Sequence, residues 1–173
     1  MAAYAEDLLA RLGKHQHTLV LMIDQSKVNA TFEVLMVSVR LRKRAVPLFW
    51  VVKETKGGIG FESQKALLDV VHNWIPEGCR VMLAGDRFYG TAELVQWCQK
   101  QEWRYRLRLK GNLCIYQDQG PHKTLDQLKA EGKRSLEKAR FRSGMMTHVG
   151  ILHEPGHDEP WYMAMDSLPN EYK

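Results

Sequence analysis

The stretch LVLMID at residues 19–24 decides the fold class, together with VMLAGD at residues 81–86. Each is an apolar run ending on an aspartate, which predicts a buried strand that reaches the surface at its last residue. A carboxylate in such a place is costly to bury unless it is paired or holds a cation. Two such carboxylates side by side repel each other, and a divalent metal relieves the repulsion. We therefore predict that Asp24 and Asp86 share a metal site.

Short connections join the first predicted strands, and helices join the later ones, so the first three strands form an antiparallel meander. The order describes an α/β fold: an RNase H-like mixed sheet, with strands 1–3 antiparallel, strands 4–5 parallel and a mainly β insertion. In that arrangement the first strand lies beside the fourth, which makes the two aspartates neighbours. Pro47 indicates that the third strand is at an edge. The predicted strands are residues 18–24, 32–41, 45–53, 80–85 and 103–109, and helices are predicted over residues 4–12, from Ser63 and from Thr91.

Composition indicates a soluble globular protein. The 173 residues are 45% hydrophobic and 26% charged, which suits one domain or one domain with an insertion. There is no long apolar stretch, so we expect no contact with a membrane, and the acidic N-terminus is unlike a signal peptide. Three widely spaced cysteines without a CxxC pair indicate reduced thiols and an intracellular protein.

The chain is basic, with a net charge of +5 and a pI near 9.1. Such a charge favours a nucleic-acid partner, although a solvated surface of strands and loops is the alternative. The cations fall into three groups: Arg40, Arg42, Lys43 and Arg44; Arg104, Arg106, Arg108 and Lys110; and Lys133, Arg134, Lys138, Arg140 and Arg142.

The second group of cations gives the candidates for DNA contact. Arg104, Arg106 and Arg108 are two residues apart in a predicted strand and therefore share one face. Lys110 and Asn112 follow at the end of that strand and are the better candidates. Arg87 could contact a phosphate or pair with its neighbour Asp86.

Cleavage of a phosphodiester benefits from two divalent ions, one activating the nucleophile and one stabilising the leaving oxygen. Mg²⁺ in such sites takes few carboxylates together with water and phosphate oxygens. Asp24 is the natural bridging ligand, Asp86 would hold one ion, and a third acid would hold the other. The alternative is that either aspartate only forms a turn or caps a helix.

Three segments resemble parts of the DDE transposases of the IS4 type. VLMIDQSKVN at residues 20–29 is similar to their first-aspartate segment. GDRFYG at residues 85–90, continuing to YRLRLKGN at residues 105–112, resembles their second-aspartate segment. The two aspartates are 62 residues apart, which suits the family. The resemblance covers residues 17–112 well and residues 161–169 more weakly.

The resemblance implies metal-dependent cleavage and transfer of DNA strands during the transposition of an insertion sequence. Asp24 and Asp86 would be catalytic metal ligands, in a two-metal site for Mg²⁺ or Mn²⁺ in the complete enzyme. DNA contacts would come from Arg87, Lys110, Asn112, Arg106 and Arg108. The partners would be the ends of the insertion sequence and the target DNA, with a homodimer in the full-length enzyme, in the bacterial cytosol or nucleoid.

The resemblance also implies a domain organisation. Residues 1–112 would form the RNase H-like catalytic core, residues 113–160 a β-rich insertion, and residues 161–173 the start of the return to the core. The family's third acid lies in a Tyr…Arg…Glu…Lys pattern that does not surround Glu171. We therefore expect a truncated transposase with impaired activity.

Two other functions stay open on the sequence. The chain could be a non-catalytic, DNA-binding remnant of a transposase. It could also be an unrelated RNase H-like nuclease or structural domain, in which Asp166 or Glu171 completes the site.

Overall fold

In the computed structural model, helices and strands form a mixed α/β architecture, described for residues 2–15, 18–55, 57–116, 120–153 and 156–168. The chain divides into a first unit, Met1–Ala84, and a second unit, Gly85–Lys173. No helix in the described ranges is long and apolar enough to cross a membrane. The predicted domain boundaries near residues 112 and 160 stay a prediction.

The first unit is built on an antiparallel meander, which confirms the predicted arrangement of the first three strands. Its sheet has the order β3-β2-β1-β4. The edge position predicted from Pro47 is confirmed in this unit, because β3 is its outer strand. The elements are α1 (Ala2–His15), β1 (Thr18–Lys27), β2 (Phe32–Leu41), β3 (Arg44–Glu54), α2 (Phe61–His72) and β4 (Arg80–Gly85), whose last residue belongs to the second unit.

β1 is longer than the sequence indicates, and the prediction that Asp24 closes it is wrong. The strand continues to Lys27, which pairs with Glu33 of β2. Asp24 thus lies inside the strand, opposite Met36. The cause is the β1–β2 hairpin, whose hydrogen-bond ladder carries the extended conformation through polar residues that have no strand signal of their own.

The core of the first unit follows the period of each element. Leu19, Leu21 and Ile23 of β1 are buried, whereas Asp24 on the opposite face is exposed. In α2 the buried side chains Leu67, Leu68 and Val71 form one helical face. Trp74 lies just beyond α2 and packs edge-on against Phe49, with ring centroids 5.4 Å apart.

The second unit is mainly β, and its sheet has the order β5-β10-β9-β8-β6-β7. The helix predicted from Thr91 is α3, and Thr91 caps it, because its Oγ1 accepts a hydrogen bond from Leu94 N at 3.3 Å. The elements are α3 (Ala92–Lys100), β5 (Arg104–Leu109), β6 (Cys114–Tyr116), β7 (Lys123–Thr124), α4 (Leu125–Ala130), β8 (Ser135–Phe141), β9 (Met146–Leu152) and β10 (Trp161–Met165).

β10 completes the sheet of the second unit. It pairs antiparallel with β5 on one side, where Tyr162 opposes Leu109, and with β9 on the other, where Ala164 opposes Val149. Because β5 carries the candidate DNA contacts, this pairing fixes the strand that positions them. Residues 169–173, which include Glu171, lie outside the described ranges.

Candidate functional site

Asp24 presents its carboxylate to solvent from the polar face of β1. Its Oδ1 accepts a hydrogen bond from Gln25 N at 2.8 Å, which orients the group. Among the described residues, nothing donates to Oδ2 or forms an ion pair with this side chain. The carboxylate is therefore held at one oxygen and open at the other.

The residue after Asp24 ties β1 to its surroundings. Gln25 Nε2 donates to Glu33 of β2 and, at 3.3 Å, to the carbonyl of Gly57. Gln25 Oε1 accepts from Ile59 N at 2.7 Å. Glu33 is buried, so the amide of Gln25 satisfies a carboxylate that would otherwise be costly. The sequence prediction missed both residues, although a glutamine next to a candidate metal ligand is a signal for a supporting hydrogen bond.

Asp86 follows β4 directly and is also exposed. Its Oδ1 accepts from Phe88 N at 2.8 Å, and its carbonyl accepts from Tyr89 N at 3.0 Å. Tyr89 is buried and anchors this turn. The turn-forming role that the sequence left open is thus present, and the same hydrogen bond orients the carboxylate. Among the described residues, no hydrogen-bond donor or cation pairs with Oδ2.

Both aspartates suit a hard cation, because each offers an oriented and exposed carboxylate oxygen, the donor that Mg²⁺ prefers. Asp24 belongs to the first unit and Asp86 to the second, so a site shared between them stays a prediction. Within neither unit do three His, Cys, Asp or Glu side chains of the described residues group as metal ligands.

β5 separates an apolar face from a basic one, as its sequence predicts. Tyr105, Leu107 and Leu109 are buried, and the arginines alternate with them. Arg106, however, is engaged within the protein: its Nη1 lies 2.5 Å from Asp166 Oδ1. This ion pair engages Arg106, one of the predicted DNA-contacting residues. It also engages Asp166, the acid that could complete a nuclease site.

The other predicted DNA contacts lie near aromatic rings and one acid. The guanidinium of Arg108 lies over Trp161, 4.8 Å from the ring centroid, and Lys110 Nζ lies 5.8 Å from the ring centroid of Phe88. Arg87 forms an ion pair with Glu159, not with Asp86. Lys110 and Asn112 are exposed after the end of β5. Cations beside exposed aromatic rings are features that bind nucleic-acid phosphates and bases.

Two pockets of the second unit share Arg87 and Lys110. The larger, of about 450 Å³, also includes Arg142 and Phe88 in its lining. The smaller, of about 240 Å³, includes Arg108 and Glu159. Basic concave surfaces of this kind attract anionic ligands.

Two buried groups are kept neutral. Burial raises the pKa of the Cys98 thiol to about 12, so this cysteine is protonated at neutral pH and acts as a core residue. Burial and the hydrogen bond from its hydroxyl to Asp126 Oδ1, at 2.5 Å, raise the pKa of Tyr162. Neither is a reactive nucleophile.

No protein-family model and no curated protein matches this chain. Among solved structures, two of Ciona intestinalis Endonuclease V are similar, each in complex with DNA containing an inosine followed by a ribo-adenosine. They are 16% and 14% identical to this chain, cover 94% of it and 80% and 79% of their own chains, and have TM-scores of 0.42. Marinitoga piezophila Argonaute, in complex with guide RNA and target DNA, is 10% identical, with 94% and 25% coverage and a TM-score of 0.38. At these TM-scores the similarities establish neither a shared fold nor a family.

Proposed function

We propose that this chain is part of the catalytic core of a DDE transposase of the IS4 type, acting on DNA phosphodiesters. The observation that carries the proposal is that Asp24 and Asp86, which lie in the two segments that resemble the family's aspartate segments, both present exposed carboxylates oriented by one backbone N–H each. The order of strands supports it, because β1 carries Asp24, β4 is its neighbour in the sheet of the first unit, and Asp86 is the first residue after β4.

Asp24 and Asp86 would hold Mg²⁺ or Mn²⁺ through their exposed carboxylate oxygens. The metal, when bound, would supply Lewis-acid activation of the attacking oxygen. Arg87, Arg108 and Lys110 would bind backbone phosphates of the insertion-sequence ends and target DNA. Arg106 would stabilise this part of β5 through its ion pair with Asp166. Asn112, just after β5, would donate a hydrogen bond from its neutral amide to the DNA.

A DNA-binding protein without catalysis is the second candidate. It is favoured by Arg108 and Lys110, which lie beside aromatic rings and could bind a phosphate without a metal. The unrelated nuclease is less well supported, because Asp166 is held by Arg106. We expect residues 1–173 alone to bind DNA and to cleave it poorly, since a site with two of three acids lacks part of its coordination geometry.

Titration with Mn²⁺ tests the shared site. We expect weak binding by the wild-type chain that is lost in Asp24→Ala and in Asp86→Ala, measured by the decrease of the free Mn²⁺ signal in electron paramagnetic resonance. Asp7→Asn, a change at an exposed aspartate paired with Arg11, is the matched control and should bind like wild type. Unchanged binding in both alanine variants would refute the acid pair. Strong Mg²⁺-dependent nicking of plasmid DNA would refute the expected impairment.

A further inference from the structure

Two arginines of the second unit reach the same carboxylate oxygen. Arg87 Nη1 and Arg108 Nη2 each lie 3.8 Å from Glu159 Oε2. All three side chains line the pocket of about 240 Å³. Arginine side chains repel one another, so two of them converge on one point only where a negative charge compensates.

The convergence is built into the backbone. Arg87 lies in the loop after β4, and Arg108 lies in β5. Gly90, in the same loop as Arg87, is so close to β5 that a Cβ atom there would collide with the carbonyl oxygen of Arg108. Glycine is the residue that permits such an approach. The loop is therefore seated against the strand, and the two guanidinium groups are neighbours because of it.

The charges of this pocket are not balanced. Three cations line it, Arg87, Arg108 and Lys110, against two acids, Glu159 and Asp126. Asp126 already accepts the hydrogen bond from the Tyr162 hydroxyl. Glu159 is thus one negative charge shared by two arginines, which leaves the pocket with an excess of positive charge.

Glu159 is held weakly. It is 71% exposed, and its 3.8 Å distances exceed the length of about 2.7–2.9 Å that charge-assisted hydrogen bonds have. Exposed ion pairs of this kind contribute little to stability, because water screens the attraction between their charges. A phosphate offers several charged oxygens, which match the planar donors of arginine better than one distant carboxylate oxygen does.

We propose that Arg87 and Arg108 form a binding site for a backbone phosphate of a nucleic-acid strand, and that Glu159 occupies this site in the free protein until the phosphate displaces it. The inference rests on the proposed nucleic-acid partner and deepens it. Glu159 acts as an internal competitor that lowers the affinity for nucleic acid, so removing its charge strengthens binding.

Fluorescence anisotropy with a labelled 20-base-pair DNA duplex tests this, in EDTA so that neither metal nor cleavage enters. We expect Glu159→Gln to bind about two- to fivefold more tightly than wild type, the range that displacement of an exposed ion pair allows. Asp158→Asn is the matched control, since it removes one negative charge from the adjacent exposed residue. It should change the affinity less than Glu159→Gln does.

A second background decides whether the two arginines carry the effect. In Arg87→Gln/Arg108→Gln, the gain from Glu159→Gln should vanish, because interacting residues are not additive. An equal gain from Asp158→Asn, or a gain that persists in this background, would overturn the inference and leave the proposed function standing. Tighter binding of inorganic phosphate without tighter binding of DNA would overturn the assignment to a strand. Absence of any DNA binding would overturn the proposed function itself.

Discussion

The guanidinium of Arg106 donates to the carboxylate of Asp166 across 2.5 Å, and both side chains are largely screened from water, at 23% and 22% exposure. Asp166 Oδ1 also accepts from Tyr105 N at 3.3 Å. The Asp166 carboxylate thus binds both the Arg106 side chain and the backbone of β5 at Tyr105. Arg108 lies on the same face of β5, but the carboxylate that it pairs with, Glu159, is exposed.

We predict opposite consequences for these two arginines. Arg106→Ala should lower the free energy of unfolding by about 1–3 kcal/mol, because it removes a charged hydrogen-bond donor from a half-buried carboxylate. Arg108→Ala, the matched control two residues away, should cost less stability and weaken DNA binding more. Urea denaturation and DNA anisotropy measure the two quantities. The same rank order of both variants in both assays would contradict this division of roles.

The hydroxyl of Tyr162 should make stability depend on alkaline pH. Its pKa is raised in the folded chain by burial first and by Asp126 second, above the ordinary tyrosine value near 10. Above that value the unfolded chain loses a proton that the folded chain keeps, so stability is complete below about pH 10 and falls as the pH rises further. Tyr162→Phe should lose about 1 kcal/mol at neutral pH and show a shallower decline at alkaline pH.

Denaturation midpoints between pH 7 and 11 measure this dependence. Tyr116→Phe is the control, because Tyr116 is exposed. Buried Tyr105, whose pKa burial also raises, remains in both variants and contributes the same background. An identical alkaline slope in wild type and Tyr162→Phe would show that the Tyr162–Asp126 hydrogen bond does not matter in solution.

Gly90→Ala should disturb the loop that carries Arg87. The added Cβ would meet the carbonyl of Arg108 and lie 2.9 Å from Leu109 Cδ2, and forced contacts of this kind cost about 1–3 kcal/mol. Gly58→Ala is the control, since its Cβ would have no described atom within 4 Å. We expect Gly90→Ala to have a lower melting temperature than wild type, and Gly58→Ala to have the same melting temperature as wild type. Equal melting temperatures would mean that the loop does not rest on β5.

Gln25→Ala should loosen the surroundings of Asp24. It removes the donor to buried Glu33 and the acceptor of Ile59 N, and an unsatisfied buried group costs about 1–3 kcal/mol. Ser26→Ala, at the exposed next position, is the control and should be nearly neutral. Chemical denaturation gives the stability, and hydrogen exchange at Ile59 N should accelerate only in Gln25→Ala. Unchanged exchange there would contradict the role of Gln25.

Much of the first unit and of β5 could be predicted because the signal is local. The alternation in β5 separates buried Leu107 from half-buried Arg108 without reference to any other strand. Asp24 shows where this fails: its place inside β1 depends on pairing with Met36 of β2. Contacts between residues far apart in the sequence could not be predicted either. Nothing in the sequence near Glu159 indicates that Arg87 and Arg108, far away along the chain, meet it.

The position of β10 constrains the order in which the strands of the second unit can pair during synthesis. β10 is later in the chain than β5 and β9, yet it lies between them in the sheet. During synthesis both neighbours leave the ribosome before the strand that joins them, and each exposes an unpaired edge in the meantime. Pairing over such sequence separations is slow. Nascent chains that stall before Trp161 therefore carry two unpaired strand edges that favour aggregation, and a chaperone that shields strand edges would raise the yield.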